Sequence, residues 1–129
     1  MTMRRAAVGG NASASCPLTL LAHKLHLACF MAADHYVLTR HFVKHYRERV
    51  GVWPGRMRFW VHDATNGTST HTREAVEGLL SAGVEPESLV LETTPRWSDK
   101  LLLRVLNQHI SMLPKDHWLI HANIDEVHL

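Results

Sequence analysis

Acidic residues are missing from the first part of the sequence: neither aspartate nor glutamate occurs between Met1 and Ala33. The same stretch is rich in arginine, alanine, serine and glycine, a composition typical of an organelle transit peptide and equally of an unstructured leader. We therefore predict a leader or transit segment over residues 1–24 and a folded domain over residues 25–129. If the leader is a targeting segment, the protein is organellar or follows the secretory route to the Golgi; otherwise it is cytoplasmic.

Other features are also scarce, and each absence removes a class of protein. The two cysteines, Cys16 and Cys29, are too few for a disulfide framework or a cysteine-based metal cluster. No apolar run reaches the length of a transmembrane helix. The net charge is only +2, with acidic and basic residues mixed along most of the chain, so neither nucleic acid nor an anionic membrane is an expected partner.

Histidine, in contrast, is abundant, and its 11 copies raise the question of a metal site. His41 and His45 are four residues apart, which places them on one helix face, but Phe42 stands where zinc peptidases carry their catalytic glutamate. Both histidines flank the apolar side of the same predicted helix. We therefore interpret them as residues at the boundary of the core rather than as metal ligands.

From about residue 25 the hydrophobic pattern alternates between strands and helices. Short apolar runs typical of buried strands lie at residues 25–32, 56–63, 88–93 and 117–125, and amphipathic helices lie between them. The order predicts an α/β fold: a mostly parallel, Rossmann-like sheet of four strands with three alternating helices on its two faces. The predicted helix N-caps are, in chain order, Asp34, Thr70 or Thr72, and Ser98 or Asp99.

The carboxyl ends of the predicted strands are the first place to look for a site. Right-handed crossovers bring these ends to one edge of a parallel sheet, and open α/β sheets bind ligands outside that edge. A helix cap accounts for an acidic residue at such a position as well as a ligand contact does, but no helix follows the last strand within the chain. The residues at or just past the strand ends are Ala33–Asp34, His62–Asp63, Thr93–Thr94 and Asn123–Asp125–Glu126.

The last of these groups has the chemistry of a divalent-cation site. In a strand, Asn123 and Asp125 would project to the same side, because side chains alternate along the strand. Carboxylate and amide oxygens suit Mg²⁺ or Mn²⁺, which commonly also bind the phosphates of a substrate. A solvated strand end or a capped turn is the simpler interpretation of so short a motif.

Four stretches of sequence occur in an order that is familiar from one family of enzymes. They are "ADHYVLTRHFVKHYRERVGV", "RMRFWVHDATNGT", "LLSAGV" and "LLLRVLNQHISMLPKDHWLIHANIDEVHL". In this order they resemble the N-terminal, nucleotide-sugar-binding part of GT-A-type glycosyltransferases, close to the family-two-like group. The likeness spans residues 25–129 and ends with a motif similar to the acidic DxD motif of that family.

The resemblance implies a hexosyltransferase-type enzyme that binds a nucleotide-diphosphate sugar, such as a UDP-sugar, through Mn²⁺ or Mg²⁺ and serves an acceptor of unknown identity. In such enzymes the acidic motif binds the cation, a role that falls here to Asp125 together with Asn123. Asp63 would contact the nucleoside base or ribose, and Ala33 and Asp34 would border the same pocket. The resemblance assigns no catalytic residue.

Departures from the family pattern leave alternatives open. Asn123 replaces the first aspartate of the motif, and an amide lacks the charge that gives a carboxylate its affinity for cations. The sequence ends at Leu129, before the region that binds the acceptor in such enzymes, so we expect an incomplete fragment that is not active alone. The alternative is a non-catalytic α/β domain, a decayed relative that acts in protein interaction or binds no ligand.

Overall fold

A single sheet organises the part of the chain that the computed structural model describes, which comprises the backbone of residues 2–5 and residues 22–63, 70–92 and 98–126. Its five strands are β1 (Thr2–Arg5), β2 (Leu25–Ala32), β3 (Met57–His62), β4 (Leu89–Glu92) and β5 (Trp118–Asn123). They lie in the spatial order β1-β5-β2-β3-β4. The strands β2 to β5 all run parallel, whereas β1 runs antiparallel to β5.

Three α-helices connect the parallel strands within the described ranges: α1 (Thr39–His45), α2 (Thr70–Ser81) and α3 (Asp99–Ser111). A 3₁₀ segment, Ala33–Leu38, precedes α1 and a π-helical turn, Tyr46–Val50, follows it. Together they make one helical stretch that begins directly after β2. Gly51 ends the stretch with a φ of 92°, a left-handed conformation that glycine adopts without steric cost.

The helices divide between the two faces of the sheet according to the direction of the chain. From β2 to β3 to β4 the chain advances across the sheet in one direction, and α1 and α2 pack on one face. The return from β4 to β5 reverses the direction, and because crossovers keep one hand, α3 packs on the other face. The larger core, on the first face, includes Leu27, Cys29, Phe42, Tyr46, Phe59, Leu79 and Ile120. The core under α3 is built by Ala28, Phe30, Trp60, Leu106 and Leu119.

This architecture confirms the predicted α/β fold class, with four parallel strands and three alternating helices. β2 has the predicted bounds, and the other parallel strands are slightly shorter than predicted. The sequence analysis did not predict β1, since the leader-like composition around it carries no strand signal. β1 pairs with β5 from Thr2 opposite His121 to Arg5 opposite Trp118, while the domain division at residue 24 stays a prediction.

The predicted helix caps are right in one case and wrong in another. Ser98 caps α3, because its Oγ accepts a hydrogen bond from the Leu101 N–H at 3.2 Å. Asp34 is not a cap: the helical stretch begins with a 3₁₀ turn after Ala32, which makes no capping bond, and Asp34 lies inside that turn. Its carboxylate is therefore available for another partner, described below. The residue before α2 lies outside the described ranges.

Candidate functional site

The carboxyl ends of the parallel strands lie side by side, as the topology requires. Ala32 is paired with His62, and His62 with Glu92, so β2, β3 and β4 end level with one another. β5 ends two residues lower, with Asn123 paired to Phe30. We call this row of strand ends the carboxyl edge. The predicted tip Thr93–Thr94 lies outside the described residues.

The carboxyl edge contains a position where the connections leave in opposite directions. The chain leaves β2 toward β3, whereas β5 lies on the other side of β2 and was reached by the return crossing. In open α/β sheets such a reversal opens a crevice between the two strand ends, and ligands bind there. At this reversal the topology places Ala33 and Asp34, which follow β2, and the turn that begins at Asn123. Four of the five predicted site residues therefore lie here: Ala33, Asp34, Asn123 and Asp125.

The turn after β5 has a defined shape. The Glu126 N–H donates to the Asn123 carbonyl at 2.9 Å, and the Asn123 Nδ2 donates to Glu126 Oε1 at 2.8 Å. Ile124 is buried beneath the turn and is 2% exposed, whereas Asp125 is exposed. Because the strand ends at Asn123, strand alternation does not align Asn123 with Asp125, as the sequence analysis had assumed. Instead the side chain of Asn123 pairs with Glu126, and Asp125 points to solvent from the turn.

Tyr46 fixes this turn from below. It is fully buried, and its hydroxyl donates to the Glu126 carbonyl at 2.8 Å, which joins the π-helical turn to a residue 80 positions later in the chain. Burial raises the pKa of Tyr46 to about 12, and the charge of Glu126 adds to that effect. Tyr46 was not among the site residues predicted from the sequence; the missed signal is that a buried tyrosine hydroxyl needs a hydrogen-bond partner.

Cys29 of β2 lies under the same turn. Burial raises the pKa of its thiol well above the usual range, and the charges of Glu126 and Asp125 reinforce the shift. The thiol therefore stays protonated and serves as apolar filling rather than as a nucleophile or metal ligand.

Asp34 lies at the other border of the crevice, exposed and hydrogen-bonded to His71. The distance between Asp34 Oδ1 and His71 Nδ1 is 2.8 Å. The ring of Tyr36 lies against His71 with 4.8 Å between centroids. This contact joins the turn after β2 to the first turn of α2. It also brings together a carboxylate and two aromatic rings beside the carboxyl edge.

Asp63 is placed differently from the other predicted site residues. It follows β3 and is only 2% exposed. Its Oδ2 accepts a hydrogen bond from the Thr72 hydroxyl at 2.5 Å, and its N–H donates to the Glu92 carbonyl at 2.9 Å. The carboxylate therefore anchors the start of α2 to the sheet and offers a ligand almost no surface.

The side chains of the described residues give little support for a metal ion bound by the protein alone. Among residues 22–63, 70–92 and 98–126 no group of three or more histidine, cysteine, aspartate or glutamate side chains is arranged to hold a metal ion. Asn123 and Asp125 supply at most two protein ligands. Two ligands are fewer than a cation bound by protein alone requires.

Comparison of the chain with protein-family models, with curated proteins and with solved structures gives no match. None of the helices in the described part of the chain is long and apolar enough to cross a membrane.

Proposed function

We propose that the chain binds a nucleotide-diphosphate sugar together with a divalent cation, as the donor-binding part of a glycosyltransferase. The observation that carries the proposal is the reversal of chain direction between β2 and β5, beside which the carboxylate of Asp125 is exposed; ligands of open α/β sheets bind at such a reversal. The proposal concerns donor binding, the step that precedes transfer of the sugar to an acceptor.

Asp125 and Asn123 are the proposed ligands of the cation, Mn²⁺ or Mg²⁺. Asp125 supplies a charged oxygen at the surface, and Asn123 keeps its amide Oδ1 as an acceptor because its Nδ2 is the atom that bonds Glu126. Hard cations of this kind are commonly held by one or two protein carboxylates plus substrate phosphates and water. Such a cation would offset the charge of the diphosphate.

The nucleoside is proposed to lie toward the end of β2. Ala33 and Asp34 border that side, with the Asp34 carboxylate suited to accept a hydrogen bond from a ribose hydroxyl. The Tyr36 ring lies close by against His71 and offers an apolar surface for the base. Asp63, being buried, contributes by holding Thr72 and the first turn of α2 in place rather than by direct contact.

A second candidate function is that of a non-catalytic α/β domain without a small ligand. It is favoured by the bond between Asn123 and Glu126, which fixes the Asn123 side chain against Glu126 within the turn. If that bond holds Asn123 Oδ1 away from Asp125, a cation has only the Asp125 carboxylate as a protein ligand.

Thermal unfolding of the chain with UDP-glucose and Mn²⁺, together and separately, tests the proposal. We expect the combination to raise the melting temperature by several degrees more than either component alone, because a ligand that binds only the folded state stabilises it. Asp125→Ala should abolish the added shift and Asn123→Asp should enlarge it. Glu87→Ala, a loss of an exposed carboxylate at the opposite end of the strands, should leave it unchanged. An equal shift in Asp125→Ala contradicts the cation site, and no shift in any form favours the second function.

A further inference from the structure

A second polar cluster lies at the opposite end of the sheet, beneath the last turns of α3. Arg58 of β3 and His109 of α3 both pack against Trp60, which is 4% exposed. The Arg58 guanidinium carbon lies 5.5 Å from the Trp60 ring centroid, and the His109 ring meets the same indole edge-on at 5.7 Å. His109 lies in α3, whose Leu102, Val105 and Leu106 side chains pack in the core on this face of the sheet.

Three nitrogen atoms of this cluster are buried without a hydrogen-bond partner. Arg58 Nε and both ring nitrogens of His109 are fully buried, and none of them makes a hydrogen bond. No carboxylate among the described residues forms an ion pair with Arg58. Most buried donors in folded proteins are satisfied by protein, water or a bound ion, and a charged donor is the most costly to leave unpaired.

Positive charge near the cluster comes from arginine, because the neighbouring histidines His26 and His109 are neutral near pH 7. His26 lies on the same face of the sheet and bonds His117, with 2.8 Å between His26 Nε2 and His117 Nδ1. Burial lowers the pKa of His26 to about 4, and the charges of His117, Arg56 and His109 contribute to that shift. The nearby carboxylate of Asp116 is already paired with Lys24 at 2.6 Å. The cluster thus combines unpaired donors with the positive charges of Arg58 and the nearby Arg56.

We propose that Arg58 and His109 form a binding site for a phosphate group, separate from the carboxyl edge. The planar guanidinium presents parallel N–H donors that hold two oxygens of an oxyanion at once, and Nε–H is one of them. A tetrahedral phosphate carries further oxygens outside the guanidinium plane that can accept from His109, whereas a carboxylate keeps both its oxygens within that plane. Arg58 and His109 are each only partly buried as whole side chains, although the three nitrogens named above are not themselves accessible at the surface.

Phosphate titration of the whole chain, followed by heteronuclear NMR of the Arg58 Nε–H and the His109 ring, tests this site. Sodium phosphate is compared with sodium chloride at equal ionic strength, which separates binding from screening. We expect saturable shifts of both side-chain signals with phosphate alone, and a weaker response to sodium acetate. Absence of a phosphate-specific shift, or an equal response to acetate, overturns the proposal.

Variants show which donors are responsible. Arg58→Lys keeps the charge but loses the planar pair of donors, and we expect it to weaken phosphate binding about tenfold. His109→Leu matches the leucines around it, so it should fold and still bind phosphate less tightly. Arg104→Gln removes an exposed cation elsewhere on α3 and should leave binding unchanged. Wild-type affinity in both Arg58→Lys and His109→Leu, or an equal loss in Arg104→Gln, overturns the assignment.

Discussion

Gly78 of α2 faces Thr39 of α1 where the two helices meet. A Cβ added at Gly78 would overlap Thr39 Oγ1 and approach Thr39 Cβ to 3.3 Å. Thr39 has little freedom to move away, because it is 1% exposed and its hydroxyl donates to the Tyr36 carbonyl at 2.9 Å. The absence of a side chain at this position is therefore what lets α1 and α2 approach so closely.

Gly78→Ala should lower the free energy of unfolding by about 1–2 kcal/mol, because the overlap outweighs the gain in helix propensity of about 1 kcal/mol. Urea denaturation measures the change. The control is Gly55→Ala, where an added Cβ meets no atom within 4 Å and stability should hardly change. In a Thr39→Ala background the cost of Gly78→Ala should shrink; an undiminished cost there would contradict the assigned contact.

Tyr46→Phe tests the bond that holds the Asn123–Glu126 turn. Removing the hydroxyl leaves the Glu126 carbonyl without its 2.8 Å donor, and we expect a loss of about 1–2 kcal/mol in unfolding free energy. Faster hydrogen exchange of the Glu126 N–H should accompany it, because that group bonds Asn123 within the turn. Tyr36→Phe, which removes a hydroxyl from a partly buried tyrosine outside the turn, should leave Glu126 exchange unchanged. Equal exchange rates of the Glu126 N–H in the Tyr46→Phe and Tyr36→Phe variants would contradict the proposal that Tyr46 stabilises this turn.

At the scale of elements, sequence patterns predict the position of a helix more reliably than they predict its internal geometry. The apolar spacing correctly predicted a helical stretch between β2 and β3. The π-helical turn could not be predicted, because it is set by packing: the N–H groups of Gly51 and Val52 both donate to the Tyr46 carbonyl, while Tyr46 and Val52 are fully buried. π turns of this kind often lie near functional sites, and this one supports the Asn123–Glu126 turn.

Ser98→Ala should destabilise the protein by about 1 kcal/mol, because α3 loses the hydrogen bond that its N-cap makes to the Leu101 N–H. Ser98→Asp, which restores an acceptor, should recover most of that stability. Thermal unfolding compares these with Ser111→Ala, an exposed serine at the last residue of α3 whose loss should cost less than about 0.5 kcal/mol. A Ser98→Ala variant as stable as wild type would show that the cap contributes nothing.

At the scale of the whole molecule, the strand order and the carboxyl edge followed from the sequence because parallel topology leaves few choices. The contacts that shape the candidate site did not follow from it. Asp34 pairs with His71, and Tyr46 with Glu126, across 37 and 80 residues of chain, distances that hydrophobic periodicity does not report. For the same reason His109 carried no signal: its position in the pattern is apolar, and only the fold places it against Trp60.

The polar groups under α3 make stability depend on pH. Burial lowers the pKa of His109 to about 4, and the charge of Arg58 adds to the effect; burial likewise lowers the pKa of His26 to about 4. Between about pH 6.5 and pH 4 the unfolded chain binds protons at these two side chains while the folded chain does not. Acidification through that range therefore favours unfolding, and above it the two histidines contribute no pH dependence.

We expect the free energy of unfolding to fall by about 1–3 kcal/mol between pH 6.5 and pH 4 on account of these histidines, after allowance for their partial exposure. Urea denaturation across this range measures it. His109→Leu removes one titrating group from the apolar face of α3, so its profile should be flatter and its stability at pH 4.5 higher than that of wild type. His41→Gln, a change at an exposed histidine, should follow the wild-type profile. A His109→Leu profile as steep as that of wild type would mean that His109 is protonated as readily in the folded chain as in the unfolded one, and that burial beneath α3 does not keep it neutral.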